Sequence, residues 1–476
     1  MFDVVIIGCG ITGAAAAYEL SRYEISVAVL ERENDAAMGS TKANSGIIHA
    51  GYGSEPGSLM AKLNVEGALL AKELCKKLDV PHKQCGSLVL AFTKSEITVL
   101  EQLLQDGIKN GVPGIRIIDK EEALDMEPNI SRDVEAALYA PSAMVVSPWE
   151  YALALAETAV KNGVEIKLEC EAVGIDKTED GYILHSSLGD IETRCIINAA
   201  GLYADKIHNM IAAPAFEIIP TKGEYYLLDK NEGKHVNHVI FQCPTEESKG
   251  VLVTPTAHGN LLVGPGSDRI WDHGNVSTTA KGLGYVMNLA RRAVPDIDFG
   301  ANIRNYAGNR ARSDHDDFII AQAAPGFINL AGICSPGLSA APAIAKMAVR
   351  LLKDSGLVLK EKRVFYDKRE KIRFNELSPD EKASLISADP AYGCVVCRCE
   401  TVTEGEVRDA LSGVIPPRSL DAIKRRAGTG MGRCQAGFCG PRVLDMLAGH
   451  QCCKPTDILQ DGAGTNILLA ESGRKI

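Results

Sequence analysis

A chain of 476 residues exceeds what one hydrophobic core usually serves, so we expect two or three domains. Its 46% hydrophobic and 24% charged residues are ordinary for a soluble protein, and a net charge of -10 argues against general nucleic-acid binding, which needs a basic surface. The longest apolar run, Val4 to Ala17, is too short and too rich in glycine to be an integral membrane segment. The first strand begins at residue 2, which leaves no room for a signal peptide, so we expect a cytoplasmic protein whose membrane contacts, if it has them, are made through a partner.

The stretch Phe2 to Gly13 predicts a nucleotide-binding turn. The β-branched run from Val4 to Ile7 predicts a buried strand, and it leads into the glycines of a GxGxxG loop, Gly8, Gly10 and Gly13. These glycines permit a tight turn, close approach of a pyrophosphate, and close packing of the next helix on the strand. A second strand ends on Glu31, about 20 residues further on, where a carboxylate accepts hydrogen bonds from ribose hydroxyls. The motif therefore predicts a bound dinucleotide.

The loop that follows, Gly39 to Gly51, is rich in small and polar residues. Such residues let backbone amides reach a cofactor, and the candidates are Ser40, Thr41, Asn44, Ser45 and Gly46. An ordinary turn-rich connection is the alternative interpretation. The position of the loop behind the second strand favours contact with the cofactor.

This loop and the segment GYGSEPGSLMAKLNVEG after it resemble the D-amino-acid-oxidase-like family of FAD oxidoreductases, and in particular the glycerol-3-phosphate and L-2-hydroxyglutarate dehydrogenases. The resemblance implies FAD as the dinucleotide, with its pyrophosphate at the glycine turn and its adenosine ribose at Glu31. It also implies that His49 lies beside the flavin on the substrate side, where it acts as an acid or base. A structural histidine is the alternative.

Two later segments are similar to the other FAD motifs of that family. The first is CIINAAGLYADKI, a predicted strand and small-residue turn with Ala200 and Gly201. The second is FINLAGICSPGLSAAPAIAKMAVRLL, a predicted strand, turn and helix whose N-terminus would face the flavin and stabilise its reduced form. Its matching residues are Gly332, Ser335, Gly337, Leu338 and Ser339. A plain strand-to-helix turn is the alternative for the first segment.

Between these motifs, residues 215 to 310 alternate polar and apolar residues and predict a mostly antiparallel sheet. In the resembled family, this substrate domain alternates along the chain with the FAD-binding domain. We therefore expect an α/β and α+β fold, in which a Rossmann-like FAD-binding domain (about 1-80, 145-210 and 305-354) is interleaved with an antiparallel-sheet substrate domain (about 81-144 and 211-304) inside residues 1-354.

Two basic residues are candidates for holding an anionic substrate. Arg310 matches the family arginine that clamps the anion, and a guanidinium can hold a carboxylate or phosphate through two parallel hydrogen bonds. The family usually has proline after that arginine, whereas this chain has Ala311, so Arg312 is an alternative clamp. Lys222, before Gly-Glu-Tyr, matches a common basic position, and a solvated lysine is the alternative.

The last part of the chain is rich in cysteine. We expect a linker at 355-393, a small helical cysteine-ligated domain at 394-450 and a tail at 451-476. Closely spaced thiolates indicate a metal, and the CxC and CxxxxC spacings depart from the CxxC pairs typical of zinc, although zinc stays an alternative. The segment resembles the bacterioferritin-associated-ferredoxin-type domain of the anaerobic glycerol-3-phosphate dehydrogenase large subunit, which implies a 2Fe-2S cluster on Cys397, Cys399, Cys434 and Cys439.

A basic run in this part of the chain includes Lys424, Arg425, Arg426 and Arg433. It lacks interleaved aromatic residues and the chain is acidic, so a nucleic-acid patch is disfavoured. We expect instead a solvated helix face or a docking surface for an acidic redox partner.

Together, the resemblances imply a FAD-dependent dehydrogenase that oxidises the secondary alcohol of a small anionic substrate. We favour sn-glycerol 3-phosphate, with L-2-hydroxyglutarate as the alternative. A reduced flavin holds two electrons and a 2Fe-2S cluster passes one at a time, so we expect a separate electron-accepting redox protein as partner. A flavin and iron-sulfur module without an organic substrate is one alternative, and a zinc-stapled scaffold protein is the other.

Overall fold

The strand that begins at Phe2 lies inside an eight-stranded sheet in the computed structural model, which describes residues 1–244 and 250–470. Numbered in chain order, the strands of this first sheet are β1 (Phe2–Ile7), β2 (Val27–Glu31), β9 (Glu165–Leu168), β10 (Ala172–Lys177), β11 (Tyr182–Ser186), β12 (Gly189–Asn198), β19 (Ile319–Ala324) and β20 (Phe327–Ala331). Their order is β10-β11-β12-β1-β2-β9, and β20 pairs with β12 and β19. β1 pairs in parallel with β2 and β12, which explains its continuous apolar run.

Helices rich in alanine cover one face of the first sheet. They are α1 (Ile11–Leu20), α2 (Leu59–Lys77), α5 (Pro148–Lys161) and α8 (Gly337–Asp354). α1 packs against α5 and α8, and α2 packs against α8. A Cβ atom at Gly67 of α2 would lie 2.3 Å from the carbonyl oxygen of Ser339 in α8. A small residue therefore lets α2 and α8 approach each other closely. The short helix α6 (Ala204–His208) follows β12.

The second sheet has nine strands in the described part of the chain. They are β5 (Ser87–Ala91), β6 (Arg116–Asp119), β7 (Ala136–Ala140), β13 (Ile218–Leu228), β14 (Val239–Gln242), β15 (Leu252–Pro255), β16 (Leu261–Gly264), β17 (Asp268–Arg269) and β18 (Asn302–Ser313). β5 and β14 run parallel, whereas the other pairs are antiparallel. The predicted fold class, with its mostly antiparallel sheet, is thus confirmed. Its helices are α3 (Lys94–Lys109), α4 (Lys120–Met126) and α7 (Ala280–Ala293).

A small sheet of β3 (Ile47–Ile48), β4 (His82–Gln84) and β8 (Met144–Val146) follows the loop that begins at Gly39. Its strands lie where the chain passes between the segments of the two larger sheets. None of the helices in the described residues combines the length and the apolar character needed to cross a lipid bilayer.

The cysteine-rich unit (residues 394–459) has a hydrophobic core of its own. Its elements are β21 (Val395–Cys397), β22 (Val402–Thr403), α10 (Glu404–Leu411), α11 (Leu420–Ala427) and α12 (Gly440–Gln451), and it follows α9 (Pro379–Ala388). Ile458 is buried in the same core, so part of the predicted tail packs on this unit.

The segment predicted as a linker lies against the helices of the first sheet. We call residues 359–377 the strap. Arg369 pairs with Glu157 of α5 at 2.8 Å, and both side chains are nearly buried. Arg373 pairs with Asp79 at 2.7 Å, and the backbone N–H of Phe374 donates to Glu406 in the cysteine-rich unit. Arg369 and Arg373 of the strap therefore have carboxylate partners near the first sheet, and Phe374 connects the strap to the cysteine-rich unit.

Candidate active site and cysteine centre

A cavity of about 940 Å³ lies between the two large sheets, at the ends of β1, β2, β12 and β20. It is lined on one side by the glycine turn and on the other by β13 and β18 of the second sheet. The volume suits a large cofactor together with a small substrate. Most of the predicted cofactor and substrate residues lie on its wall.

The glycine turn leaves no room for side chains. Gly8 has φ +99°, and a Cβ atom there would lie 2.6 Å from the carbonyl oxygen of Ala199. A Cβ at Gly13 would lie 2.0 Å from the carbonyl oxygen of Gly8, so Gly13 serves the packing of α1 on β1 and does not line the cavity. Gly8 and Gly10 do line the cavity, which fits a pyrophosphate against bare backbone.

Glu31 ends β2 on the cavity wall with its side chain buried. Its carboxylate accepts the backbone N–H of Cys9 at 2.8 Å and of Glu33 at 3.0 Å. Burial raises the pKa of Glu31, although these two N–H donors oppose the rise. The carboxylate is thus held at the edge of the glycine turn, where it fits a ribose hydroxyl.

The loop from Gly39 is held in place by its own polar side chains. The hydroxyl of Thr41 accepts the N–H of Ile11 at 2.9 Å, which joins the loop to the start of α1. Asn44 donates to the carbonyl of Thr41 and accepts the N–H of Gly46, both at 2.8 Å. Of the predicted residues, Ser40, Thr41, Asn44 and Ser45 line the cavity, whereas Gly46, at φ +64°, supports the turn.

The two later motifs meet at the same cavity. Its wall includes Ala200, Gly201, Gly332, Gly337 and Leu338. Ser339 does not line it, because the side chain is buried beneath the wall, where its hydroxyl accepts the backbone N–H of His49 at 2.8 Å. The structure therefore brings all three predicted FAD segments together, with Ser339 in a supporting position.

Two polar atoms on the cavity wall are buried without a protein partner among the described residues. They are Nε2 of His273 and Oδ1 of Asn309. Buried polar groups are nearly always hydrogen-bonded, so these two unpartnered atoms make the region behind this part of the wall unusually polar. Sequence reasoning missed both residues: the segment around His273 carries no recognisable motif, and in the segment of Asn309 attention fell on the next residue, Arg310.

His49 lies on the cavity wall beside the third motif. Its Nε2 is 3.4 Å from the hydroxyl of Ser335, and its ring centroid is 5.8 Å from that of Phe241. The N–H held by Ser339 fixes the backbone at this point. A histidine placed in this way can exchange a proton with a ligand hydroxyl.

Arg310 reaches the cavity from β18 and is half-buried, whereas Arg312 on the same strand is exposed. Its side chain forms a hydrogen bond with the hydroxyl of Tyr225, whose pKa is raised by burial against the opposing effect of the guanidinium. Tyr225 stacks on Tyr306 with ring centroids 4.7 Å apart, and Tyr306 donates to the carbonyl of Asn44 at 3.0 Å. Among the described residues, no carboxylate forms an ion pair with Arg310, so its charge is open to an anionic ligand.

Lys222 does not reach the cavity. Lys222 directly precedes Gly223 on β13. Because side chains alternate along a strand, that of Lys222 lies on the opposite face from those of Thr221 and Tyr225. There Nζ pairs with Glu224 at 3.1 Å and donates to the carbonyl of Ser277 at 2.9 Å, with Lys222 almost fully buried. The structure therefore gives this lysine a buried ion pair beside α7 instead of a place near the substrate.

The four predicted metal ligands meet as two pairs. The thiol of Cys397 contacts that of Cys439, and the thiol of Cys399 contacts that of Cys434. The hydrogen bond with Cys439 lowers the pKa of Cys397 to about 6, and backbone N–H groups of Gly430 and Glu400 also favour its thiolate. Within the described residues, no three potential ligands converge on one point as a single metal ion requires. Two pairs of thiols fit two irons, which matches the donor set of a 2Fe-2S cluster.

The basic run is not a solvated face, so that prediction was wrong for its two central residues. Arg425 and Arg426 are 5% and 4% exposed, and both pair with the buried carboxylate of Asp35. Burial alone would raise the pKa of Asp35, but the guanidinium groups of Arg426 and Arg425 hold it below its ordinary value.

Lys424 is also partly buried, and burial lowers its pKa to about 8. Only Arg433 is exposed, and it pairs with Asp229 at 3.3 Å.

The glycine turn, the polar cavity and the paired thiols define a flavin and iron-sulfur oxidoreductase. Residues 3–351 match the family model described as FAD dependent oxidoreductase, and residues 395–449 match the BFD-like [2Fe-2S] binding domain. The chain belongs to the FAD-dependent oxidoreductase family and carries a 2Fe-2S binding domain at its C-terminal end.

Individual relatives agree with this assignment. The chain is 49% identical to a glycerol 3-phosphate dehydrogenase of Caloramator mitchellensis over 479 residues, which cover 100% of both chains. It is 34% identical to human mitochondrial L-2-hydroxyglutarate dehydrogenase over 56% of this chain and 60% of the relative. Among solved structures, a dithionite-reduced L-alpha-glycerophosphate oxidase of Mycoplasma pneumoniae with FAD bound is 34% identical, with a TM-score of 0.73 over 77% of this chain and 98% of that one.

Proposed function

We propose that this enzyme oxidises the secondary alcohol of sn-glycerol 3-phosphate to dihydroxyacetone phosphate and passes the electrons through the 2Fe-2S cluster to a separate redox protein. The observation that carries the proposal is the 49% identity with a glycerol 3-phosphate dehydrogenase, because it extends over both whole chains and so includes the cysteine-rich unit. The cavity supports it, since an unpaired guanidinium and a histidine line the same wall.

In this proposal Arg310 binds the phosphate and Tyr225 orients its guanidinium. His49 takes the proton of the substrate hydroxyl at Nε2, while Ser339 holds its backbone. FAD, when bound, supplies the hydride acceptor. Gly8, Gly10 and Glu31 would hold its pyrophosphate and ribose, and the segments at Ala200 and Gly337 would enclose the rest. The protein itself contributes orientation and charge.

The surface over the cysteines supports a redox partner. Cys399 is exposed, and Phe438, directly before Cys439, is 85% exposed. An exposed aromatic residue beside a metal site is typical of a protein contact. The proposal therefore places the electron exit at the surface around Phe438, with Cys397, Cys399, Cys434 and Cys439 as cluster ligands.

The substrate is tested by anaerobic absorbance of the purified enzyme before and after addition of sn-glycerol 3-phosphate or, separately, L-2-hydroxyglutarate. We expect glycerol 3-phosphate alone to bleach the flavin bands. Glycerol at the same concentration is the matched control, because it keeps the hydroxyl and lacks the anion. Bleaching by L-2-hydroxyglutarate alone would overturn the substrate in favour of the alternative, and bleaching by neither would leave the flavin and iron-sulfur module without an organic donor.

The His49→Asn variant should bleach about 100-fold more slowly with glycerol 3-phosphate, since loss of a general base costs about 10² to 10⁴ in rate. Stopped-flow absorbance under anaerobic conditions measures this rate. Ser335→Ala is the control, because Ser335 contacts His49 without itself taking the proton. An unchanged rate in His49→Asn would show that the proton leaves by another route.

A further inference from the structure

Buried charges join the cysteine-rich unit to the segment that follows Glu31. Asp35 is fully buried, and its carboxylate accepts hydrogen bonds from Arg426 at 2.7 and 2.9 Å and from Arg425 at 2.9 and 3.2 Å. Arg425 also donates to Asp461 at 3.0 Å, and Asp461 pairs with Lys42. Removing one member of such a group leaves a buried charge without its partner, which is strongly destabilising.

The segment from Glu31 to Lys42 makes contacts on two opposite sides. One side lines the cavity with residues that include Glu31 and Thr41. The other side contacts the cysteine-rich unit and the residues that directly follow it. Asn34, for example, donates to the carbonyl of Asp461 at 2.7 Å. Next to Asp35, the N–H of Ala37 donates to the carbonyl of Cys9 within the glycine turn at 3.0 Å. One short segment thus contacts the cavity, the glycine turn and the residues that follow the cysteine-rich unit.

We propose that Asp35 is a positioning residue that couples FAD binding to the seating of the cysteine-rich unit. The coupling is reciprocal, because anything that stabilises the seated unit raises the affinity for FAD by the same factor. The inference rests on the proposed FAD site and not on the choice of substrate.

The strap also helps to hold the cysteine-rich unit in its position on the first sheet. Its pairs with Glu157 and Asp79 hold the chain that leads into the unit, and Glu157 also lies 3.9 Å from Nε of Arg426. The strap and the Asp35 group thus both hold the unit against the first sheet, and Glu157 contacts both of them. This arrangement keeps the four cysteines at one position relative to the cavity, whereas a free tether would let them sample many.

The test uses the holoenzyme with Asp35→Asn and, separately, Arg426→Gln. After dilution, the return of flavin fluorescence gives the rate of FAD dissociation, and we expect both variants to release FAD at least about tenfold faster. Arg426 does not line the cavity, so its effect on FAD has to be indirect, and Asp35 is the residue with which it makes its shortest ion pair. In a second assay, excess FAD should slow tryptic release of the unit from the wild-type chain and protect neither variant.

Arg418→Ala is the matched control. Arg418 also joins the unit to the first sheet, through Glu169, but its side chain is 47% exposed and that of Glu169 is 57% exposed. An exposed pair of this kind contributes little, so FAD release should stay within about twofold of wild type. The double variant Asp35→Asn/Arg426→Gln should release FAD no faster than Asp35→Asn alone, because both act on one contact.

Wild-type FAD release from Arg426→Gln would overturn the proposal, as would additive effects in the double variant. If Asp35→Asn does not fold, Arg425→Gln replaces it, because Arg426 still pairs with Asp35 in that variant and an intermediate rate is expected. None of these measurements uses a substrate. Failure of glycerol 3-phosphate to bleach the flavin would therefore overturn the proposed function and leave this coupling standing.

Discussion

The Arg310→Ala enzyme should lose about a thousandfold in kcat/KM for glycerol 3-phosphate. Truncating one partner of a buried, charge-assisted contact removes about 2–5 kcal/mol, and each 1.36 kcal/mol is a factor of about ten in rate. Steady-state assays with an artificial electron-accepting dye measure this loss. FAD content, read from absorbance, should stay at the wild-type level, because Arg310 lies on the second sheet away from the glycine turn.

Arg312→Ala is the matched control for that variant. It lies two residues further along β18 on the same cavity wall, but it is exposed, so its loss should change kcat/KM by less than about tenfold. A larger loss in Arg312→Ala than in Arg310→Ala would make Arg312 the anion clamp. Arg310→Lys should recover only part of the activity, because an ammonium cannot form two parallel hydrogen bonds with a phosphate.

Replacement of Cys397 by serine should abolish the cluster while the flavin is still reduced by substrate. The Cys397 thiol pairs with Cys439 in the buried part of the centre, and a hydroxyl is a poor substitute for an iron-binding thiolate. Iron analysis and low-temperature electron paramagnetic resonance of the dithionite-reduced protein measure the cluster. We expect the signal to disappear and transfer to an external protein acceptor to fall to background.

Cys394→Ser and Cys453→Ser are the controls for the cluster. Cys394 contacts the guanidinium of Arg442 at 2.9 Å, and the thiol of Cys453 lies near the side chain of Gln451. Neither belongs to the two thiol pairs, so iron content should be unchanged. Loss of iron in either control, or its retention in Cys397→Ser, would require a different set of ligands.

Local patterns were enough to predict the three segments that meet at the cavity. The order of strand, glycine turn and helix depends on residues adjacent in sequence, and the structure has it as β1, the glycines and α1. The three motifs fall around one cavity because each follows a strand of the same sheet, and the ends of parallel strands meet at one edge. This part of the site follows from short-range rules.

The parts that sequence reasoning missed depend on contacts between distant segments. Asp35 and Arg426 are 391 positions apart, so nothing in the run around Arg426 shows that its charges have a buried partner. Similarly, the pairing of Lys222 with Glu224 depends on α7 covering that face of β13. Tyr225 differs from Lys222 by an odd number of positions along one strand, and strand alternation therefore sends one to the cavity and the other away from it.

The strap and its partners have a consequence for protein engineering. The cysteine-rich unit carries its own core, so it looks transferable to another flavoprotein by a simple fusion. Its seating, however, uses carboxylates contributed by the host, namely Asp35, Asp79 and Glu157. A chimaera that moves the unit and the strap without these three acceptor positions would carry arginines without their carboxylate partners at the junction, and only the peptide connection would then hold the transferred part to its new host.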